Sequence, residues 1–152
     1  MGISENVLQN PPDVLDFMFG GQAEFTLHSK VTGKHYTYRV IHNRQDKDHP
    51  LKFVFFLGGS DNDNDWVYAG SLRRFDKSPH VTVSFLLTKK SPPKNMPVIK
   101  AFGWMVHMLN KHTVAADQME IMHSGVCSAC GRKLTTPESI RTGLGPVCRS
   151  KL

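Results

Sequence analysis

The chain has 152 residues, 39% of them hydrophobic, enough for one ordinary core and a small satellite module but not for several large domains. No apolar run approaches the roughly 18 residues of a membrane span, and Met1-Gly-Ile-Ser-Glu-Asn6 lacks a basic segment followed by an apolar one, so a soluble cytoplasmic protein with no membrane partner is expected. The net charge of +6 is unevenly spread: −3 over residues 1–70, +6 over 71–100, −1 over 101–122 and +4 over 123–152. Positive potential therefore collects on the middle and on the C-terminus, which favours a polyanion or an acidic protein face and disfavours mimicry of DNA.

Pro11-Pro-Asp-Val-Leu-Asp-Phe-Met-Phe-Gly20-Gly21 predicts a short helix between the prolines and the glycines, with Val14, Leu15, Met18 and Phe19 near one face. Ala23, Phe25 and Leu27 then alternate with polar residues, Thr32-Gly33 supplies a turn, and Tyr36, Tyr38 and Val40 alternate in their turn, the pattern of a β-hairpin. The polar run His42 to His49 reads as a loop. Leu51-Lys-Phe-Val-Phe-Phe-Leu57 is apolar on both faces and suits the middle of a sheet.

After a second loop, Gly58 to Asp65, the segment Trp66-Val-Tyr-Ala-Gly70 predicts a strand, Arg73-Arg74 a basic turn, and Val81, Val83, Phe85 and Leu87 one face of a further strand. Lys89 to Pro97 reads as a basic, proline-rich linker, and Val98, Ala101, Phe102, Met105 and Leu109 recur at helical spacing. The expected fold is α+β: an antiparallel meander of about five strands, one covering helix, and a small C-terminal Cys3His zinc module. The domain boundary is placed between an α+β domain at 1–122 and a zinc-binding module at 123–152.

That module holds every cysteine of the chain. Cys127 and Cys130 have the C-x2-C spacing of a metal knuckle, Cys148 is the third thiol, and His123 is the nearest candidate for a fourth ligand, with His107, His112 or water as the alternatives. A Cys3His set suits one tetrahedral Zn2+. Thr135 or Thr136 predicts a helix cap, Pro137 its first turn, Thr135-x-x-Glu138 a capping box, and Gly143 a left-handed stop, after which Gly145-Pro146 turns the chain into Cys148. A Cys127–Cys130 disulfide and three ordinary buried thiols are the alternatives. Four protein ligands leave no position for an activated water, so the zinc is expected to be structural.

Asp61, Asp63 and Asp65 resemble the start of a calcium loop, but Trp66 stands where that loop needs glycine and Leu72 where it needs glutamate, so an exposed turn is expected. No phosphate-binding glycine loop, G-x-S-x-G, H-E-x-x-H or deaminase pairing occurs, and no enzyme is expected. Tyr36, Tyr38, Phe53, Phe55, Phe56, Trp66 and Tyr68 offer stacking platforms near Arg73, Arg74, Lys89, Lys90 and Lys94, although most alternate as core residues do.

The run His123 to Cys148 resembles the ending of a widespread phage and prophage family of unknown function, H-x-G-x-C-x-x-C-G-R-x-L-T-x-P-E-S-I-x-x-G-x-G-P-x-C. Gly21 to Leu27, Thr32 to Val40 and Ala101-Phe-Gly-Trp104 are similar to it more loosely. The resemblance implies a phage-encoded, zinc-bound accessory protein in the cytoplasm of a bacterial host, acting by binding. Its first expected partner is a host or defence protein, a CRISPR effector nuclease being the most specific case, inhibited by blocked movement or loading. The second is nucleic acid. In either case the candidate contacts are Arg73, Arg74, Lys89, Lys90, Arg132, Lys133 and Arg141.

Overall fold

The computed structural model describes residues 6–43, 45, 50–61, 64–77 and 80–150, without the side chains at 77, 80, 149 and 150. Most of the predicted 42–49 loop and Asp63 lie outside that set. Helix α1 spans Pro11–Met18: Asn10 caps it by accepting from the Asp13 N–H, the prolines occupy its first turn, and Val14, Leu15, Phe17 and Met18 are buried. Phe17, absent from the expected face, is fully buried and makes an edge contact with Phe25.

The hairpin forms as expected from β1 (Gln22–Ser29) and β2 (His35–Ile41), with Ala23 opposite Val40 and Phe25 opposite Tyr38. Strands β3 (Leu51–Leu57), β4 (Trp66–Lys77) and β5 (His80–Leu86) continue the antiparallel meander. Arg73-Arg74 is not a turn: β4 runs through it and pairs with β5 from Ser71 to Lys77. The pair contains no glycine, proline or asparagine to break a strand, and Arg74 is held by Asp16 on α1 at 3.2 Å and by Asp76 at 2.7 Å.

A sixth strand, β6 (Met119–His123), adds to the free edge of β1, giving the order β5-β4-β3-β2-β1-β6. The chain before α1 lies along β6 in turn, through the Val7–Met122 bridge. Helix α2 (Pro97–Asn110) covers one face of the sheet; Phe102 meets Phe25, Tyr38 and Phe85, and the Tyr38 hydroxyl donates to the Val98 carbonyl at 2.6 Å. That phenol is fully buried, and desolvation drives its pKa far above the ordinary 10, so it stays a neutral donor. No described helix is long and apolar enough to cross a membrane.

One irregularity decides what the opposite face carries. Val54 pairs with Gly70 but Phe55 pairs with Tyr68, so Ala69 is an extra residue, a β-bulge. Side chains along a regular strand alternate, and Tyr68 and Ser71, three apart, would face opposite ways. The bulge places Trp66 and Tyr68 on the same face as Ser71, Arg73 and Phe75, while Leu72 points into the core.

Candidate functional site

The C-terminal site begins with the parity of β6. Met119, Ile121 and His123 all point inward, and His123 is 3% exposed with its ring 5.7 Å from that of Phe17. Its Nδ1 accepts from the Gly125 N–H at 3.0 Å, and its Nε2 is in contact with the Ile140 carbonyl, so the ring is a neutral Nε2–H tautomer. Burial pushes its pKa down, opposed by that carbonyl.

The knuckle follows at once. Cys127 donates its N–H to the Arg132 carbonyl at 2.8 Å, Gly131 donates back to the Cys127 carbonyl at 2.9 Å, and the φ of +78° at Gly131 is one that glycine adopts freely. Ala129 directs its N–H at the Cys127 sulfur. The returning segment is helix α3 (Pro137–Thr142), whose cap is Thr136, accepting from the Ser139 N–H at 3.2 Å. The expected Thr135–Glu138 box does not form, because the Thr136 hydroxyl donates instead to the Ser139 hydroxyl and Glu138 is exposed.

Gly143 stops α3 with a φ of +73°, and a Cβ there would lie 2.3 Å from the Phe17 ring, so the position demands glycine on two grounds. The Gly143 carbonyl accepts from the Ser128 N–H at 3.0 Å, folding the return onto the knuckle. Pro146 opens helix α4 (Pro146–Ser150), which carries Cys148.

The result is a cluster in which the sulfurs of Cys127, Cys130 and Cys148 lie within 4.8 Å of one another. Three of the four predicted ligands are thus brought together and His123 is not. The spacing left its direction open, whereas strand parity and the packing of Phe17 turn it into the core. None of the three cysteines is in a disulfide.

Three thiols this close fit a soft cation. Burial pushes Cys127 up, but N–H groups of Gly145, Cys130 and Ala129 outweigh it and hold that thiol at about 7. Cys148 is driven the other way, to about 11, by desolvation and then by its two thiol neighbours. Without a cation the cluster resists collecting negative charge; a thiophilic divalent ion reverses that balance. Cys127, Cys130 and Cys148 are the residues that would hold it.

Beside the cluster is a cleft of about 350 Å3 lined by Arg132, Lys133, Thr135, Thr136, Ser139 and Val147 among others. Among the described residues no carboxylate or imidazole lines it. The other basic candidates divide. Arg141, itself exposed, is bound to the buried Asp13 carboxylate at 2.9 Å and ties α3 to α1, and Arg74 is engaged as above. Arg73, Lys89, Lys90, Arg132 and Lys133 are exposed.

A second candidate surface is the face of the sheet opposite the helices. From β6 to β2 it is polar, with the Glu24–Arg39 pair, the Thr26–Thr37 hydrogen bond and the stacked rings of His28 and His35. Across β3 and β4 it is aromatic: Phe53, Phe55, Trp66, Tyr68 and Phe75 are all half-buried. Arg39 lies 4.1 Å over the Trp66 ring and Arg73 lies 4.8 Å over Phe75. Tyr38 and Phe56, counted among the stacking platforms, are core residues instead, and Tyr36 packs against the core. Arg39 and Phe75 went unnoticed, although the alternation with Tyr38 and Val40 already set Arg39 on the outer face. Beside Trp66 the Asp61 N–H donates to the Asp65 carboxylate at 2.8 Å.

Residues 118–152, which comprise β6 and the cysteine module, match the model of a family of unknown function (DUF6011). No curated protein and no solved structure matches the chain.

Proposed function

We propose that this is a non-enzymatic protein that binds single-stranded nucleic acid on the outer face of β3 and β4, with one structural Zn2+ holding the C-terminal module. The observation that carries the reading is the Ala69 bulge, which gathers Trp66 and Tyr68 with Phe55, Phe53 and Phe75 on a face that already bears Arg39 and Arg73. Bases stack on such rings whatever their sequence, and the exposed Arg73 guanidinium on the same face meets the phosphates, while Arg39 is paired with Glu24 beside Trp66. The charge of +6 on residues 71–100 supports the same partner. Against catalysis stands the cleft at the cysteines, whose described lining residues offer no general base.

Binding of a labelled oligothymidylate to the purified protein tests this. Trp66→Ala and Phe55→Ala each lower affinity by about 1–3 kcal/mol, roughly 5- to 150-fold. Affinity falls with added salt. Binding that is absent at low salt, or indifferent to both substitutions, defeats the proposal.

A second reading has its own support. Leu86 and Leu87, 47% and 40% exposed where β5 ends, are apolar anchors that nucleic acid does not require, and aromatic and arginine side chains also dominate protein interfaces. The phage resemblance directs this reading to a bacterial host or defence protein, a CRISPR effector nuclease in particular, inhibited by blocked movement or loading. A partner retained from nuclease-treated lysate, and lost with Leu86→Asp but not with Trp66→Ala, would favour it.

A further inference from the structure

We propose that the zinc is bound by only three ligands of this chain, and that its fourth position opens to the basic cleft and takes a small anionic donor from solution. This rests on the zinc reading above. Tetrahedral zinc requires four donors, and among the described residues no histidine, aspartate or glutamate joins Cys127, Cys130 and Cys148. The obvious fourth, His123, has both ring nitrogens engaged, one by the Gly125 N–H and one by the Ile140 carbonyl, and is wedged against Phe17.

The hydroxyls in the cleft wall divide. Thr136 and Ser139 are committed to the cap of α3, which leaves Thr135 as the competing hydroxyl among the described lining residues. The cluster is accessible: Cys130 is exposed, Cys148 is partly so, and Val147 beside it is 66% exposed.

Charge selects the class of donor. Three thiolates leave a divalent ion at −1, which by itself would turn anions away. Arg132 and Lys133 line the same cleft and make the local sum +1, so a small anion is drawn in where a bare three-thiolate centre would prefer a neutral donor. Water fills the position at rest and is displaced by the anion, with no change of oxidation state.

Cobalt(II) in place of zinc reports the donor set through its visible bands, and its near-ultraviolet charge transfer reports the number of thiolates. The expected result for the full chain is a three-thiolate spectrum, unchanged in His123→Gln and Thr135→Ala, whose visible bands shift on titration with azide. Arg132→Ala with Lys133→Ala weakens azide several-fold and leaves imidazole, a neutral probe, nearly unaffected. Cobalt bound but blind to azide overturns the inference alone, as does a visible spectrum altered by either single substitution. Failure to bind cobalt or zinc at all removes the metal reading with it. His123→Gln keeps a hydrogen-bonding side chain, and Thr135→Ala touches an exposed position, so each variant reports on the ligand set while the fold is retained.

Discussion

The core between the sheet and helices α1 and α2 extends from Leu8 to Ile121 and includes Phe17, Phe25, Tyr38, Phe56 and Phe102, whereas the described core of the C-terminal module is Cys127, Leu134 and Leu144. The first buries enough apolar surface to hold itself together. The second does not, and depends on the thiolate cluster and on attachments to the main core: the Arg141–Asp13 pair and the packing of Phe17 on Gly143 at α1, and the bonds that Gln22 of β1 donates to the Ser128 and Ala129 carbonyls. The same chain thus uses area where area is plentiful and, where it is scarce, gathers three thiols able to hold a cation, which is the usual solution for a segment of some thirty residues.

Loss of the proposed metal should separate the two regions most completely. Cys148→Ser, or a strong chelator, is expected to release the zinc and leave the backbone amides of residues 125–148 open to hydrogen exchange, while those of β1 to β5 stay protected. The affinity at stake is large, about 10–16 kcal/mol for structural zinc in small modules at neutral pH. Collapse of the whole sheet with the module would show that the two share one cooperative core.

Phe102→Ala is the converse test. The ring is fully buried and meets Phe25, Tyr38 and Phe85, so its loss costs about 3–5 kcal/mol of global stability, read from the urea midpoint. Zinc affinity should stay the same. Phe17→Ala costs a similar amount but should also weaken zinc, because Phe17 touches Phe25 on one side and both His123 and Gly143 on the other. Equal effects of the two substitutions on zinc would remove Phe17 as the link.

How much of this could be read in advance follows the same division. Strands β1, β2 and β3 are long enough for alternation to show, and α2 has three turns of apolar spacing, so the meander and its covering helix were legible. β6 has five residues, Met-Glu-Ile-Met-His, too few for a period to declare itself and poor in β-branched types. Missing that strand meant missing the parity that sends His123 into the core and away from the thiols. The Ala69 bulge was equally hidden. Straight alternation would group Trp66 and Tyr68 with Leu72 in the core, and only pairing with β3 reveals the extra residue. The cysteines needed no such context, because two thiols three positions apart must share a turn. Arg141 matched the motif but not the role expected of it, since nothing in its neighbours announces Asp13, 128 positions earlier.

The smallest expected effect isolates His123, where module and sheet meet. Its folded pKa lies below the ordinary 6.5, with burial as the first cause, so the neutral ring is the native form. Above about pH 6.5 both folded and unfolded chains hold it neutral, and its contribution to stability is constant. As the pH falls below that value the unfolded chain takes up a proton that the folded chain refuses. Stability then drops, by at most about 1.4 kcal/mol per pH unit, until the pH reaches the folded value and the loss levels off. Acid also releases zinc from the thiolates, in parent and variant alike. The difference between the urea midpoints of the parent and of His123→Gln, taken at pH 5.5, 6.5 and 7.5 in excess zinc, removes that shared term. The parent should lose more stability on acidification, and the gap should appear only below about pH 6.5. Parallel slopes would mean that the ring takes up its proton as readily in the native state as in the unfolded chain, so that burial does not hold it neutral.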